Sequence, residues 1–246
     1  MPRVYAIGDI HGQLDKLHEV HGWITDDRAR NTGDAVTVHV GDLVDRGPDS
    51  AGVLDYLITG LARGEPWVVL KGNHDRMMSY YLERPSRRDH LLSSKHEWLS
   101  KGLGGRTTLA SYGLDVDGLE ETALHEAAIS VVPDAHKSFL AGLDTIYQSE
   151  SAAFVHAGVR PGILLNAQIE DDLVWIRREF HEDTRDHGAL IVHGHTPVDV
   201  VTHYGNRVNI DTGAAYGHAL SVVIVEGTKV WQLDENGRTS LDPPKR

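Results

Sequence analysis

Short apolar runs alternate with amphipathic stretches along the first part of the chain. Val4 to Ile10, Ala35 to Val40 and Trp67 to Leu70 have the length and composition of buried strands. Between them, Leu14 to Ile24 and Ser50 to Leu61 place apolar residues at helical spacing. The stripe Leu54, Leu57, Ile58 and Leu61 marks a face that packs on a core. Each helix-like segment follows a turn containing Gly and Asp, and this strand–turn–helix–strand order predicts an α/β fold. The middle, Met77 to Leu143, is rich in Leu, Ala, Glu, Arg and His and is broken at Pro85, Gly102, Gly104, Gly105 and Pro133. It reads as a helical insertion (about 77–143) beside the site, inside one domain spanning 1–246. Short strands return at Ala153 to His156, Ala189 to His193, Val208 to Asp211 and Leu220 to Val225. Thr228 to Leu233 completes a hairpin, and the tail from Asp242 to Arg246 is expected to fray.

Composition narrows the function. With 246 residues, 40% of them hydrophobic and 24% charged, the chain can build a proper core. A formal net charge of −12 argues against a nucleic-acid partner and against an anionic membrane surface. It leaves a phosphorylated substrate open, because bound divalent cations reverse the local sign. There is no cysteine, so any metal must sit on His, Asp, Glu or Asn. The start lacks the apolar run of a signal peptide and no stretch reaches membrane-span length, so a cytoplasmic protein is expected.

The candidate chemistry sits where apolar runs end. Gly8-Asp9-Ile10-His11-Gly12 follows the first run, Gly41-Asp42-Leu43-Val44-Asp45-Arg46-Gly47 the second, and Gly72-Asn73-His74-Asp75 the third. Ligands in open α/β sheets bind beyond the carboxyl ends of strands. Each motif alone is weak, and its bland reading is a turn or a helix cap. The recurrence of strand, Gly and metal-competent residue makes coincidence a poor explanation. His156 and His195 also follow strands and add neutral imidazoles. An oxygen and nitrogen donor set without sulfur suits a pair of Mn, Fe or Zn ions better than one structural zinc. Most other histidines, among them His18, His21, His90, His96, His125, His136, His181, His187 and His203, read as surface residues. His39 and His193 are candidates to support the ligands from behind. Asp75 reads as a helix cap, and Tyr216 and His218 as a border of the pocket.

The order GDIHG, GDLVDRG, GNHD, HAG, GHT resembles the calcineurin-like metallophosphoesterases. More narrowly it is similar to the phosphoprotein phosphatase family in its bacterial and phage branch, the spelling GDLVDRG being the most specific piece. Trp98, Gly104 to Leu109, Leu173 to Arg177 and Asn209 to Ala214 extend the likeness over nearly the whole chain. The resemblance implies an αββα sandwich of mixed sheets flanked by helices, with two divalent metal ions at the strand ends, Mn2+ foremost. One ion would be held by Asp9, His11 and a bridging Asp42, the other by Asp42, Asn73, His156 and His195. The protein-docking grooves of eukaryotic members are not implied, because their long C-terminal part is missing.

Such a pair of ions shares a water, lowers its pKa and neutralises phosphate charge during in-line attack. His74 is then the expected proton donor to the leaving group, oriented by Asp45. Arg46 and Arg177 would hold phosphate oxygens, Arg177 being preferred over Arg178 because it fits the Trp-x-Arg pattern. The expected substrates are phosphoserine or phosphothreonine in a protein or peptide, or small phosphoesters. The competing enzyme is a symmetrical diadenosine tetraphosphate hydrolase, which shares every ligand. A catalytically silent phosphopeptide-binding module is a remote third reading.

Overall fold

The computed structural model describes residues 3–244. The chain begins β1 (Arg3–Ile7), α1 (Leu14–Arg30), β2 (Ala35–His39), α2 (Ser50–Ala62), β3 (Trp67–Val69), α3 (Asn73–Tyr81). Next come α4 (Gly105–Ser111), α5 (Glu121–Val131), α6 (Asp134–Ala141), β4 (Ile146–Gln148) and β5 (Ala152–Val155). Then follow α7 (Glu170–Trp175), α8 (Arg178–His181), β6 (Leu190–His193), β7 (Thr202–His203) and β8 (Arg207–Asn209). The chain ends on β9 (Val222–Glu226), β10 (Lys229–Asp234) and β11 (Gly237–Ser240).

These strands form two mixed sheets, ordered β11-β10-β9-β1-β2-β3 and β4-β5-β6-β8-β7. β1, β2 and β3 run parallel, as do β5, β6 and β8. Parallel neighbours need a crossover, and α1 and α2 supply it in the first sheet.

Side chains alternate between the faces of a strand, so each strand feeds two layers. From β1, Val4 and Ala6 pack with Val38, Val40, Phe154, Val192 and Val208 in the core between the sheets. Tyr5 and Ile7 point the other way, onto Leu17, Val20, Val53, Leu54 and Leu57 of α1 and α2. On the outer face of the second sheet, Val155 and Ile191 meet Leu173, Ile176 and Phe180. The result is the expected αββα sandwich.

Several boundaries differ from the sequence pattern. The first strand ends at Ile7, not Ile10. Ile10 is fully buried but lies in a loop whose amide donates to the Asp42 carbonyl, so its apolar character reports burial rather than strand. α1 continues past Ile24 to Arg30. The expected final hairpin gains a polar edge strand, β11, where Arg238 of the strand pairs with Asp27 of α1. Of the tail expected to fray, Lys245 and Arg246 lie outside the described residues. Among the described residues, no helix is long and apolar enough to cross a membrane.

Phe154 is fully buried between the sheets. Truncation there removes contacts that neither sheet can restore by collapsing. Phe154→Ala is expected to lower unfolding free energy by about 3–5 kcal/mol in a urea titration. Leu164→Ala, at a residue 74% exposed, should stay within about 0.5 kcal/mol.

Candidate metal centre

The parallel strands of both sheets deliver their carboxyl ends to one place. β1 leads into Asp9 and His11, β2 into Asp42, Asp45 and Arg46, and β3 into Asn73 and His74, the first two residues of α3. From the second sheet, β5 leads into His156 and β6 into His195. The metal candidates Asp9, His11, Asp42, Asn73, His156 and His195 are all buried.

The loops that carry them are bent unusually hard. His11, Asp42, Asp45, Arg46 and His195 are the non-glycine residues with positive φ, between 47° and 76°, among the described residues. Backbone of this kind costs on the order of 1–3 kcal/mol per residue and persists only where the surroundings enforce it. Glycine enables the tightest approach. A Cβ on Gly72 would lie 2.2 Å from the Asp42 amide nitrogen, so the second and third loops touch backbone to backbone.

The ring orientations expose a surplus of lone pairs. His11 donates through Nδ1 to the Val44 carbonyl at 2.8 Å, which leaves Nε2 bare. His156 donates through Nδ1 to the Val40 carbonyl at 3.1 Å, with the same consequence. Its Nε2 lies 3.0 Å from Asn73 Oδ1, 3.1 Å from His195 Nδ1 and 3.3 Å from Asp42 Oδ1. Lone pairs outnumber protons among these atoms, which is the donor arrangement of a cation site. Asp42 presents its other oxygen, Oδ2, to His11 Nε2 at 3.4 Å. One carboxylate therefore faces both halves of the cage. Asp9 Oδ2 accepts from the His195 amide at 3.0 Å, while Asp9 Oδ1 and His195 Nε2 are buried without a partner. Unsatisfied buried polar atoms of this kind are rare unless an ion or water completes them. The residues fit divalent cations, with Asp42 common to both donor groups, one with His11 and His74 and one with His156 and His195.

Charge follows the same logic. Burial pushes Asp9 well above the usual carboxylate range, helped by Asp211 and Asp42. Burial also opposes ionisation of Asp42, but His156, His74, His11 and His195 outweigh it and hold that carboxyl low. Burial keeps His11, His156 and His195 below the ordinary imidazole range, hence neutral and able to ligate.

His74 stands beside the cage with a defined orientation. Its Nδ1 donates to Asp45 Oδ2 at 2.6 Å, and its Nε2 accepts from Arg46 at 3.0 Å. Asp45 is held in turn by Trp98 Nε1 at 2.8 Å and Thr108 Oγ1 at 2.7 Å, both from the segment after α3. His11, Asp42 and His74 also offer ligand atoms within 4.8 Å of one another, so His74 competes with Asp9 for a ligand's role. Its Nδ1 partner is a buried carboxylate rather than a carbonyl, as for His11 and His156, and a carboxylate stabilises a protonated ring, which favours a proton carrier. Arg46 also donates to His11 Nε2, so its guanidinium must withdraw for that nitrogen to ligate. Its cation lies 5.5 Å from the centre of the exposed Tyr216 ring, which places Tyr216 at the rim. Arg177 donates to Thr196 at 2.9 Å, next to His195, whereas Arg178 turns outward to Glu182 at 3.0 Å.

Other expectations fail. His39 and His193 do not back the ligands. His39 Nε2 meets His21 Nε2 at 3.0 Å on the helical side of the first sheet. His193 Nε2 accepts from Arg207 at 3.2 Å on the outer side of the second. Strand parity sends both away from the inter-sheet face. His21 and His136 are buried, not superficial, because Trp67 covers the first and Tyr112 and Asp55 engage the second. Asp75 does cap α3, accepting from the Gly72 amide at 2.8 Å, and it also takes the Leu43 amide at 2.9 Å. Sequence reasoning gave no role to Trp98, Thr108 or Asp211. Burial pushes Asp211 up to about 6, and its charge is felt by Asp9. The only signal for them was membership of the quoted motifs.

Comparison with known proteins agrees with this geometry. The family described as calcineurin-like phosphoesterase matches residues 2–225. The asymmetrical bis(5'-nucleosyl)-tetraphosphatase PrpE of Anoxybacillus flavithermus is 29% identical, with 88% of each chain covered. Its namesake in Geobacillus thermodenitrificans is 26% identical over the same shares. Among solved structures, a protein named provisionally as a diadenosine tetraphosphatase superposes with a TM-score of 0.64 at 22% identity, covering 96% of this chain and 97% of its own. A cold-active protein tyrosine phosphatase from a psychrophilic Shewanella gives 0.60 at 17% identity, covering 98% and 81%. With its two mixed sheets, its strand-end loops and its cage of His, Asp and Asn, the chain belongs to the calcineurin-like metallophosphoesterase family.

Proposed function

We propose that the protein hydrolyses dinucleoside tetraphosphates off centre, giving a nucleoside monophosphate and a nucleoside triphosphate. The observation that carries this reading is the shared name of curated relatives aligned over 88% of both chains. The motif spelling pointed first to phosphoserine and phosphothreonine, with symmetrical cleavage of diadenosine tetraphosphate as the competitor. Solved protein phosphatases resemble the chain at 11–18% identity, a likeness that speaks to fold alone.

Two divalent ions, Mn2+ foremost and Fe or Zn as alternatives, would supply charge neutralisation and an activated water for displacement at phosphorus. Asp9, His11, Asp42, Asn73, His156 and His195 would hold them. Asn73, as a neutral ligand, also borders the place where phosphate oxygens gather. Arg46 swings from His11 onto the substrate, and Arg177 approaches from beside His195, so the two guanidinium groups grip non-bridging oxygens. Asp45 keeps the Nδ1 proton of His74, so a second proton, taken from solvent at Nε2 once Arg46 has withdrawn, is the one the ring would hand to the leaving oxygen. A leaving phosphate is a weak base and needs that proton less than an alkoxide does.

The direct test is product analysis by liquid chromatography with Mn2+ and diadenosine tetraphosphate. AMP plus ATP is expected, and a chelator should abolish the reaction. ADP alone would establish symmetrical cleavage instead. Phosphate release from a phosphopeptide at a higher kcat/KM would restore the protein phosphatase reading.

The role of His74 is tested separately. His74→Asn should lower kcat for an alkyl phosphate by about 10²–10⁴-fold, and less for the anhydride, with metal content unchanged. Loss of metal in this variant would make His74 a ligand.

A further inference from the structure

A groove of about 830 Å³ opens beside the metal centre. Leu91, Ile169, Trp175 and Ile176 form its apolar wall, and Arg177 stands where the groove meets the cage. Leu91 is 43% and Ile169 59% exposed, so the wall offers open apolar surface to a ligand. Arg177 apart, the charged side chains that line the groove face opposite charges: Glu179 lies 3.8 Å from Arg160, and Arg178 donates to Glu182 at 3.0 Å. Asp171 takes Arg76 at 2.7 Å and His90 at 3.0 Å, and Asp172 takes Arg160 Nε at 3.1 Å. The remaining surface suits a flat, uncharged, partly apolar group. Its volume falls within the range of pockets that bury small ligands.

The wall is also fixed relative to the cage. Arg76, two residues after His74 in α3, is buried and grips Asp89 at 2.8 Å. Asp89 accepts from Trp175 Nε1 at 3.0 Å and from the Leu91 amide at 3.0 Å. One ion pair therefore ties the Leu91 side, the Trp175 side and the helix of His74 into a single unit. A preformed groove loses little ordering entropy when it binds.

We infer that this groove seats the base and ribose of one nucleoside and is what directs the enzyme to nucleotide anhydrides. The inference rests on the proposed dinucleoside tetraphosphate activity. Ribose is bonded directly to its α-phosphate, so a nucleoside beside Arg177 presents its own α-phosphorus to the cage. Water then gives its oxygen to the α-phosphorus and its protons to solvent. The α–β bridging oxygen leaves with the bonding electron pair. The nucleoside monophosphate remains in the groove and the triphosphate departs, which is off-centre cleavage.

The test uses the full-length enzyme with Ile169→Asp, Leu91→Asp and the control Ile169→Leu. Both aspartates replace exposed side chains, and circular dichroism checks the fold. The kcat/KM ratio of diadenosine tetraphosphate to p-nitrophenyl phosphate, which carries neither ribose nor purine, should fall about tenfold or more in the aspartate variants and hold in Ile169→Leu. Calorimetric titration of AMP into chelator-treated enzyme should weaken by a similar factor. Cleavage of diadenosine tetraphosphate by the native enzyme with an unchanged ratio in the aspartate variants would overturn the groove alone. A native enzyme inert to diadenosine tetraphosphate would overturn the parent activity and the groove with it. A loss confined to phosphopeptide substrates would assign the groove to a peptide instead.

Discussion

A single carboxylate lies between the donor sets of two sheets. Asp42 turns one oxygen toward His11 and the other toward His156, and the loops around it are bent to keep it there. Burying such a charge is costly unless it is matched. The surrounding rings offset that cost only when protonated, and burial opposes their protonation, so the balance from protein groups alone is incomplete. Divalent cations can complete it. The strain at the five left-handed residues, the close backbone contact at Gly72 and the unpaired Asp9 Oδ1 all make sense as the cost of assembling that cation site.

The sandwich exists to hold this arrangement. Three parallel strands in each sheet end at a common edge, so the first sheet brings Asp9, His11, Asp42 and Asn73 and the second brings His156 and His195. The inter-sheet core of Val, Ala and Phe154 fixes their spacing. Outside the cage, the network from Asp45 to Trp98 and Thr108 and the ion pair of Arg76 with Asp89 lock the segment after α3 against it. A rigid frame of this kind holds catalytic groups in place before substrate arrives.

Much of this was legible in the chain. The repeated strand–Gly–donor pattern points to the cage because strand ends in such folds carry ligands, and no long-range information is needed to see it. What it could not carry was partnership across distance. Trp98 and Thr108 are 53 and 63 positions from Asp45, and nothing local in their surroundings announces the contact. Arg46 resting on His11 is likewise a matter of loop conformation rather than residue type. His39 and His193 misled because closeness to a motif was read as closeness to the site. Strand alternation sends them to the outer layers, where Val38 and Val192 beside them face inward. The substrate is least legible, since cage residues set the reaction at phosphorus and the groove wall is scattered over Leu91, Ile169 and Trp175.

The proposal on which the rest depends is that Asp42 would be shared between two ions. Loading the metal-free protein with Mn2+ and recording electron paramagnetic resonance spectra tests it most directly. Two manganese ions per chain with an exchange-coupled spectrum, both lost in Asp42→Ala, are the expected result. One ion per chain with an uncoupled six-line spectrum, or a coupled pair that survives Asp42→Ala, would contradict it.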